Sequence, residues 1–159
     1  MIGGGLEMAA CAHVRVADET TFYQLPEARK GIYVGGGASV RVARIIGASR
    51  IVEMMLTGRK YDAIEGERLG FSRYVVEAGG ALKRAIELAN TIAENAVIPN
   101  YLITQAIPRI ADMSANDGLF TESIAQAISL TSVDAKNGTD KFLRRRQLDE
   151  KLYEKAIEN

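Results

Sequence analysis

Two glutamates and a run of glycines are the residues whose types and spacing can do chemistry in this chain. Glu7 follows three consecutive glycines, Gly3–Gly5, at the start of a small, apolar stretch that is typical of a helix. Glu27 follows Pro26, which fixes the backbone entry to it. Two carboxyl groups in different environments can divide acid and base work between them. The pair therefore predicts a site that delivers water and transfers a proton.

The glycine run predicts a site where another molecule can contact the backbone directly, because no side chain stands in the way. If residues 5–11 begin a helix, the free N–H groups of Gly4 and Gly5 lie at its positive end and favour a developing negative oxygen. Known nucleotide loops do not fit, because no Lys-Ser or Lys-Thr comes after the glycines and Met8 stands where the dinucleotide-binding pattern needs glycine. An oxyanion hole is the functional interpretation, and a simple tight turn is the alternative.

The path of the chain between the two glutamates decides whether they form one site. They are 20 residues apart in the sequence. A helix of about two turns followed by a roughly antiparallel return strand would bring both carboxylates to one cavity beside the glycine amides. The alternative for either glutamate is a helix cap or an exposed position.

The first half of the chain predicts a mixture of short strands and helices. Glycines end each helix, and Asp62 with Glu65 has the spacing of a capping box. We expect a Ser49 cap on the second of these helices. The predicted strands are 13–18, 20–25 and 71–78, and the predicted helices end at Gly47, Gly58 and Gly70.

The chain changes near residue 80 from mixed strand and helix to helix alone, which predicts domains at 1–78 and 79–159. A long helix covers residues 82–93, and Pro99 and Pro108 break or start the helical segments after it. Two further helices are expected at 117–130 and 140–157. Apolar residues available for burial on the first are Leu119, Ile124, Ala127, Ile128 and Leu130, and the second carries Leu148, Leu152 and Ala156 on one face.

Composition narrows the function classes. Lys plus Arg and Asp plus Glu number 20 each, which gives no indication of nucleic acid or a membrane surface as partner. The run Arg144–Arg146 is interpreted as a solvated helix face. The single cysteine, Cys11, is expected to be a small buried hydrophobe, and the single histidine, His13, a structural or surface residue. With no apolar run of about 20 residues, a cytoplasmic location is expected.

The motifs together resemble the crotonase or enoyl-CoA hydratase/isomerase superfamily. The resemblance runs in order through "GGGLEMAACAHVRVAD", "FYQLPEARKGIYVGGGASVRVARIIG" and "MMLTGRKYDAIEGERLGFSRYVV", and covers residues 2–76 closely. It implies a mixed, helix-rich α/β fold, in which part of a spiral core is followed by a C-terminal helical trimerisation region. It also implies a homotrimer or a dimer of trimers.

The resemblance implies a role for each matching residue. Gly4 would supply one of two backbone N–H groups that polarise the thioester carbonyl of an acyl-CoA. Glu7 would act as base toward water, and Glu27 would protonate the α-carbon. Gly35 would help to seat the water. Leu25 and Gly5 would be substrate-binding residues. No metal and no cofactor is expected beyond the coenzyme A that the substrate carries.

The resemblance also implies that the chain is a truncated or partial member, the C-terminal part of the family. Family members extend well upstream, and that half supplies the second oxyanion amide and much of the coenzyme A groove. Hydration of a 2-enoyl-CoA is the first hypothesis. Alternatives are an inactive half-domain that only assembles, another reaction of the family such as isomerisation, hydrolysis or decarboxylation, and a small helical interaction module.

Overall fold

The computed structural model describes residues 1–133, 135 and 136. The chain forms two compact units, residues 1–90 and 91–159. The predicted helix at 140–157 and the Arg144–Arg146 face lie outside the described residues. The assignment of residues 1–78 to active-site motifs and 79–159 to oligomerisation stays a prediction.

The fold is a mixed, helix-rich α/β structure, as predicted. All described strands precede residue 80, and they are shorter than the sequence pattern predicts. In chain order the elements are α1 (Gly4–Ala9), β1 (Val16–Asp18), β2 (Phe22–Tyr23), a 3₁₀ helix (Glu27–Lys30), α2 (Ala38–Ile46), α3 (Ala48–Thr57), β3 (Tyr61–Asp62), α4 (Ala63–Leu69), β4 (Tyr74–Val76), α5 (Ala81–Ala93), α6 (Val97–Ile110) and α7 (Ala115–Leu130).

The strands form two small sheets that connect distant parts of the first unit. β1 pairs with β4 in parallel, with Ala17 opposite Val75, and β2 pairs with β3 in the antiparallel sense, with Tyr23 opposite Tyr61. A further parallel bridge joins Ile2 to Gln24. These pairings bring the first residues of the chain next to the segment that leads into Glu27.

The core of the first unit is built around the aromatic pair Tyr23 and Phe71. Their rings stack with centroids 4.7 Å apart, and the Tyr23 hydroxyl hydrogen-bonds to Ser72. Gly66 on α4 makes room for the Tyr23 ring, because an added Cβ would lie 2.1 Å from it. Leu6, Leu25, Val42, Ile46 and Met54 are also fully buried. The core therefore joins β2, α2 and α3 to α1, which carries Glu7.

Local signals set most helix ends. The Asp62 side chain accepts the Glu65 amide and the Glu65 side chain accepts the Asp62 amide, so the predicted capping box is confirmed. α2 ends at Gly47, α3 at Gly58 and α4 at Gly70, as expected. The expected Ser49 cap is wrong, since Gly47 precedes the first residue of α3 and no side chain caps that helix.

Helices α6 and α7 pack against each other in the second unit. Gly118 lies against Ile110, where an added Cβ would be 3.2 Å from the Ile110 side chain. Pro99 lies in the first turn of α6, as predicted for a proline that starts a helix, whereas α6 continues through Pro108, so the break predicted there is wrong. Pro99 costs little, because amides in the first turn lack intrahelical acceptors.

Apolar side chains of the second unit lie open to solvent. From Thr91 onward, no apolar side chain in the described part of the chain is buried. The α7 residues that the sequence offers for burial, namely Leu119, Ile124, Ala127, Ile128 and Leu130, are all exposed. Across the residues that the structure describes, no helix is long and apolar enough to cross a membrane.

Two other sequence expectations concern the segment after α1. Cys11 is exposed, so its predicted burial is wrong; α1 ends at Ala9, and the thiol donates only a weak hydrogen bond to the Glu7 carbonyl, at 3.5 Å. His13 is exposed, as a surface residue would be.

Candidate active site

Glu7 lies on the buried side of a very short helix. α1 spans six residues, and within it Leu6 and Glu7 are buried while Met8 is exposed. Leu6 anchors the helix in the core at 1% exposure, and Glu7 beside it is only 7% exposed. Because Leu6 is buried in the core, the adjacent Glu7 carboxylate also lies in the interior. There it requires hydrogen-bond partners.

The Glu7 carboxylate finds these partners at the start of α2. Its Oε1 accepts the amide of Gly36 at 2.8 Å and the amide of Ala38 at 3.0 Å. Gly37 between them has a φ of 102°, a left-handed conformation that turns both amides toward one point. Since the first amides of a helix have no intrahelical acceptors, Glu7 serves as the N-terminal cap that α2 lacks locally.

Glu27 opens the 3₁₀ helix after Pro26 and is equally buried, at 7% exposure. Its environment is different. Oε2 is buried and has no hydrogen-bond partner among the described residues. Oε1 lies against the backbone of Gly3, where an added Cβ would be 2.9 Å away. A buried carboxylate oxygen without a protein partner is costly, and a water or a guest molecule can supply the missing contact.

Gly3 connects the two acids. Its carbonyl accepts the Glu7 amide at 3.1 Å, and its Cα lies beside the Glu27 carboxylate. Gly3 and Glu7 are therefore about one helical turn apart, roughly 5–6 Å, and the Glu27 carboxylate lies beside Gly3. The chain returns to this place through the parallel bridge between Ile2 and Gln24, which lies before α1, so the expected antiparallel return relative to α1 stays a prediction.

The amides of the glycine run are not equivalent. Within the described residues, the Gly4 amide donates to no backbone carbonyl, and Gly4 is exposed. The Gly5 amide donates to the Ile2 carbonyl at 3.1 Å, so the expected free amide at Gly5 is wrong. Because α1 has only six residues, its dipole is small. Gly4 therefore offers a single N–H donor, with little added electrostatic attraction from the helix.

The remaining predicted residues fall into two groups. Gly35 is exposed next to Gly36 and has open space around it, which fits a residue that contacts a guest. Leu25 is fully buried in the core, where its side chain supports the turn into Glu27. Substrate contacts by Gly35, Gly5 and Leu25 stay predictions.

Sequence reasoning missed the residues that hold the acids. Gly36 and Ala38 bind Glu7, and Gly3 contacts Glu27. The only signal in the sequence is the pair of glycine runs, residues 3–5 and 35–37, and it does not say which glycine meets which acid. In the described ranges, no group of three or more His, Cys, Asp or Glu side chains is arranged to hold a metal ion.

Comparison with known proteins assigns the chain to a family. The enoyl-CoA hydratase/isomerase family model matches residues 1–151. The chain belongs to the enoyl-CoA hydratase/isomerase family. Its correspondence to the C-terminal part of the family stays a prediction.

Individual relatives agree with this assignment. The chain is 34% identical over 146 residues to a probable mitochondrial enoyl-CoA hydratase 2 of Arabidopsis thaliana, covering 92% of this chain and 48% of that protein. It is 30% identical to a short-chain-enoyl-CoA hydratase of Clostridium acetobutylicum, covering 93% of this chain and 57% of that protein.

Solved structures also match. A putative enoyl-CoA hydratase of Rhodopseudomonas palustris superposes with a TM-score of 0.88 at 45% identity, covering 93% of this chain and 57% of that chain. An enoyl-CoA hydratase of Geobacillus kaustophilus gives a TM-score of 0.85 at 32% identity, covering 91% and 55%. The chain thus spans about half the length of the proteins it matches.

Proposed function

We propose that the chain carries the acid and base of a site that adds water to a 2-enoyl-CoA thioester. The observation that carries this proposal is the pair of equally buried glutamates, of which Glu7 is held by two amides and Glu27 has a buried oxygen without a partner. The names of the relatives as enoyl-CoA hydratases support the same reaction class.

In the proposed reaction Glu7 accepts a proton from water as the water oxygen bonds to the β-carbon. The electron pair of the double bond moves to the thioester oxygen as an enolate. Glu27 gives its proton to the α-carbon, which completes the 3-hydroxyacyl product, and a proton returns from Glu7 to Glu27 through solvent. The Gly4 amide donates to the enolate oxygen. Fixed donors of this kind are worth on the order of 100-fold or more in rate.

The experiment follows the loss of the conjugated thioester absorbance of crotonyl-CoA with the purified chain. Glu7→Gln and Glu27→Gln each remove a proton-transfer group, and we expect each to lower turnover on the order of 10²- to 10⁴-fold. Glu94→Gln, at an exposed position, is the matched control and keeps the wild-type rate. Unchanged turnover in Glu27→Gln would rule out the assignment.

Other reactions of the family are separated with the same proteins. Isomerisation of a 3-enoyl-CoA needs only one acid, so it would survive one of the two substitutions. Hydrolysis would release free thiol from a saturated acyl-CoA. Hydration requires both glutamates and a conjugated substrate, and this pattern distinguishes it.

A second candidate is an assembling half-domain without catalysis. It is favoured by the open apolar side chains of α6 and α7, among them Tyr101, Ile107 and Phe120. Light scattering after size exclusion, combined with titration by an acyl-CoA, separates the two candidates. A defined trimer that binds the thioester supports the enzyme, and an oligomer that does not bind it supports the half-domain.

A further inference from the structure

Gly3 is held in place from both sides by the backbone. Its amide donates to the Gln24 carbonyl at 3.0 Å, and its carbonyl accepts the amides of Leu6 at 2.9 Å and Glu7 at 3.1 Å. Its φ of 53° with ψ of −128° lies where side chains are rarely tolerated. The residue therefore forms a fixed, bare piece of backbone between the Ile2–Gln24 bridge and α1.

The Glu27 carboxylate lies directly against this bare backbone. An added Cβ at Gly3 would be 2.9 Å from Oε1, closer than side-chain carbons normally approach. The Gly3 amide is already bound to Gln24, so it does not donate to the carboxylate. The neighbouring Oε2 is buried and, among the described residues, unpartnered. Packing against Gly3, rather than a hydrogen bond, limits where this carboxylate can lie.

We propose that Gly3 is the positioning residue for Glu27: the absence of a side chain at Gly3 sets the place of the carboxylate and leaves Oε2 unbound for proton transfer. The assignment of a proton to Oε2 rests on the proposed function, whereas the contact between Gly3 and Glu27 does not. A displacement of about 1 Å at a reacting group can cost on the order of 100-fold in rate. A methyl group at Gly3 is large enough to cause such a displacement.

The first experiment needs no activity. Gly3→Ala is compared with Gly79→Ala, because Gly79 also has a positive φ, of 79°, while an added Cβ there meets open space. Both variants place a side chain at a positive φ and so strain the backbone. Only the methyl group at position 3 contacts Glu27. With glutamates labelled at the carboxyl carbon, the Glu27 resonance is assigned by its absence in Glu27→Gln. We expect it to move in Gly3→Ala and to stay in place in Gly79→Ala.

The second experiment is a double-mutant cycle with Glu27→Asp. Aspartate is shorter by one methylene, so its carboxylate withdraws from a Cβ at position 3. We expect Gly3→Ala to lower kcat for crotonyl-CoA about 10- to 100-fold in the wild-type background, with KM nearly unchanged. In the Glu27→Asp background the same change costs less than about threefold. Coupling of this size is a property of residues in contact.

The outcomes separate the two proposals. An inactive wild-type chain contradicts the proposed function, while the Glu27 resonance still tests the positioning role. If Gly3→Ala does not fold and Gly79→Ala does, Glu27→Asp is expected to restore folding of Gly3→Ala. An unmoved Glu27 resonance, additive losses in the cycle, or a folding defect that Glu27→Asp leaves unchanged would each overturn the role of Gly3.

Discussion

The surroundings of Glu7 and Glu27 differ although both side chains are equally buried. Glu7 Oε1 accepts two backbone amides at the start of α2, so this carboxylate is part of what holds α1 and α2 together. Glu27 Oε2 has no partner in the described chain, and the carboxylate lies against bare backbone. Burial alone therefore does not define an acid's role. Glu7 is bound into the fold by backbone amides, whereas one oxygen of Glu27 is left without a partner among the described residues.

The largest expected effect on stability comes from replacing each acid by methionine, which has a similar length and no hydrogen-bonding oxygen. Glu7→Met leaves the buried amide of Ala38 without an acceptor and should cost about 1–3 kcal/mol. Glu27→Met removes a buried polar oxygen that has no partner in the described chain and should be neutral or stabilising. Denaturant midpoints at unchanged m-value measure both. Equal losses at the two positions would show that the comparison is wrong.

A smaller effect is expected at Gly36, under the Glu7 carboxylate. An added Cβ would lie 2.8 Å from Glu7 Oε2, so Gly36→Ala should push the carboxylate off its amides and cost about 1 kcal/mol, the value of one hydrogen bond. Gly35→Ala is the matched control for stability, because nothing lies within 4 Å of its added Cβ.

The Gly36→Ala penalty depends on Glu7. In a Glu7→Ala background the methyl group meets no carboxylate, and the variant should then be neutral or stabilised, since alanine restricts the unfolded chain more than glycine. Denaturant unfolding of the four proteins in this cycle gives the coupling. If Gly36→Ala costs the same stability in both backgrounds, the cost arises from the backbone at Gly36 and not from the Glu7 carboxylate.

The smallest effect concerns a third carboxylate, Asp18, which has partners like Glu7 but lies at the surface. Hydrogen bonds from the Thr20 side chain, and then from the Gly79 amide, hold the pKa of Asp18 below its ordinary value. A lowered folded-state pKa adds stability above the unfolded value, near 3.9, that is lost as pH falls through the folded value. Asp18→Asn should therefore flatten stability against pH below about pH 4. Acid unfolding curves of the two proteins test this, and parallel curves would contradict it.

Much of the local structure could be predicted because its causes are close in sequence. The capping box of Asp62 and Glu65 joins residues three apart, and the glycine that ends α4 comes directly after the helix. Residues whose state depends on distant partners were predicted poorly. Cys11 has an apolar sequence environment, yet α1 ends two residues before it, and nothing in the described part of the chain covers it.

The candidate site shows the same division. The sequence indicated both acids and the glycine runs. It also predicted that the Gly5 amide is free, whereas that amide donates a hydrogen bond to the Ile2 carbonyl. It also indicated apolar residues available for burial on α7, and in the described part of the second unit these side chains are exposed. An amphipathic pattern says which face is apolar, and only the packed structure shows what meets that face.

By itself the sequence determined the helix stops, the capping box, the two acids and the resemblance to a family, because these depend on residue type and on neighbours within a few positions. The tertiary structure decided that Glu7 binds the amides of Gly36 and Ala38, that Glu27 Oε2 has no partner in the described chain, and that Gly3 lies beside it. These contacts join residues far apart in the sequence. Their geometry is set by how the core packs around Tyr23 and Phe71, which no local pattern encodes.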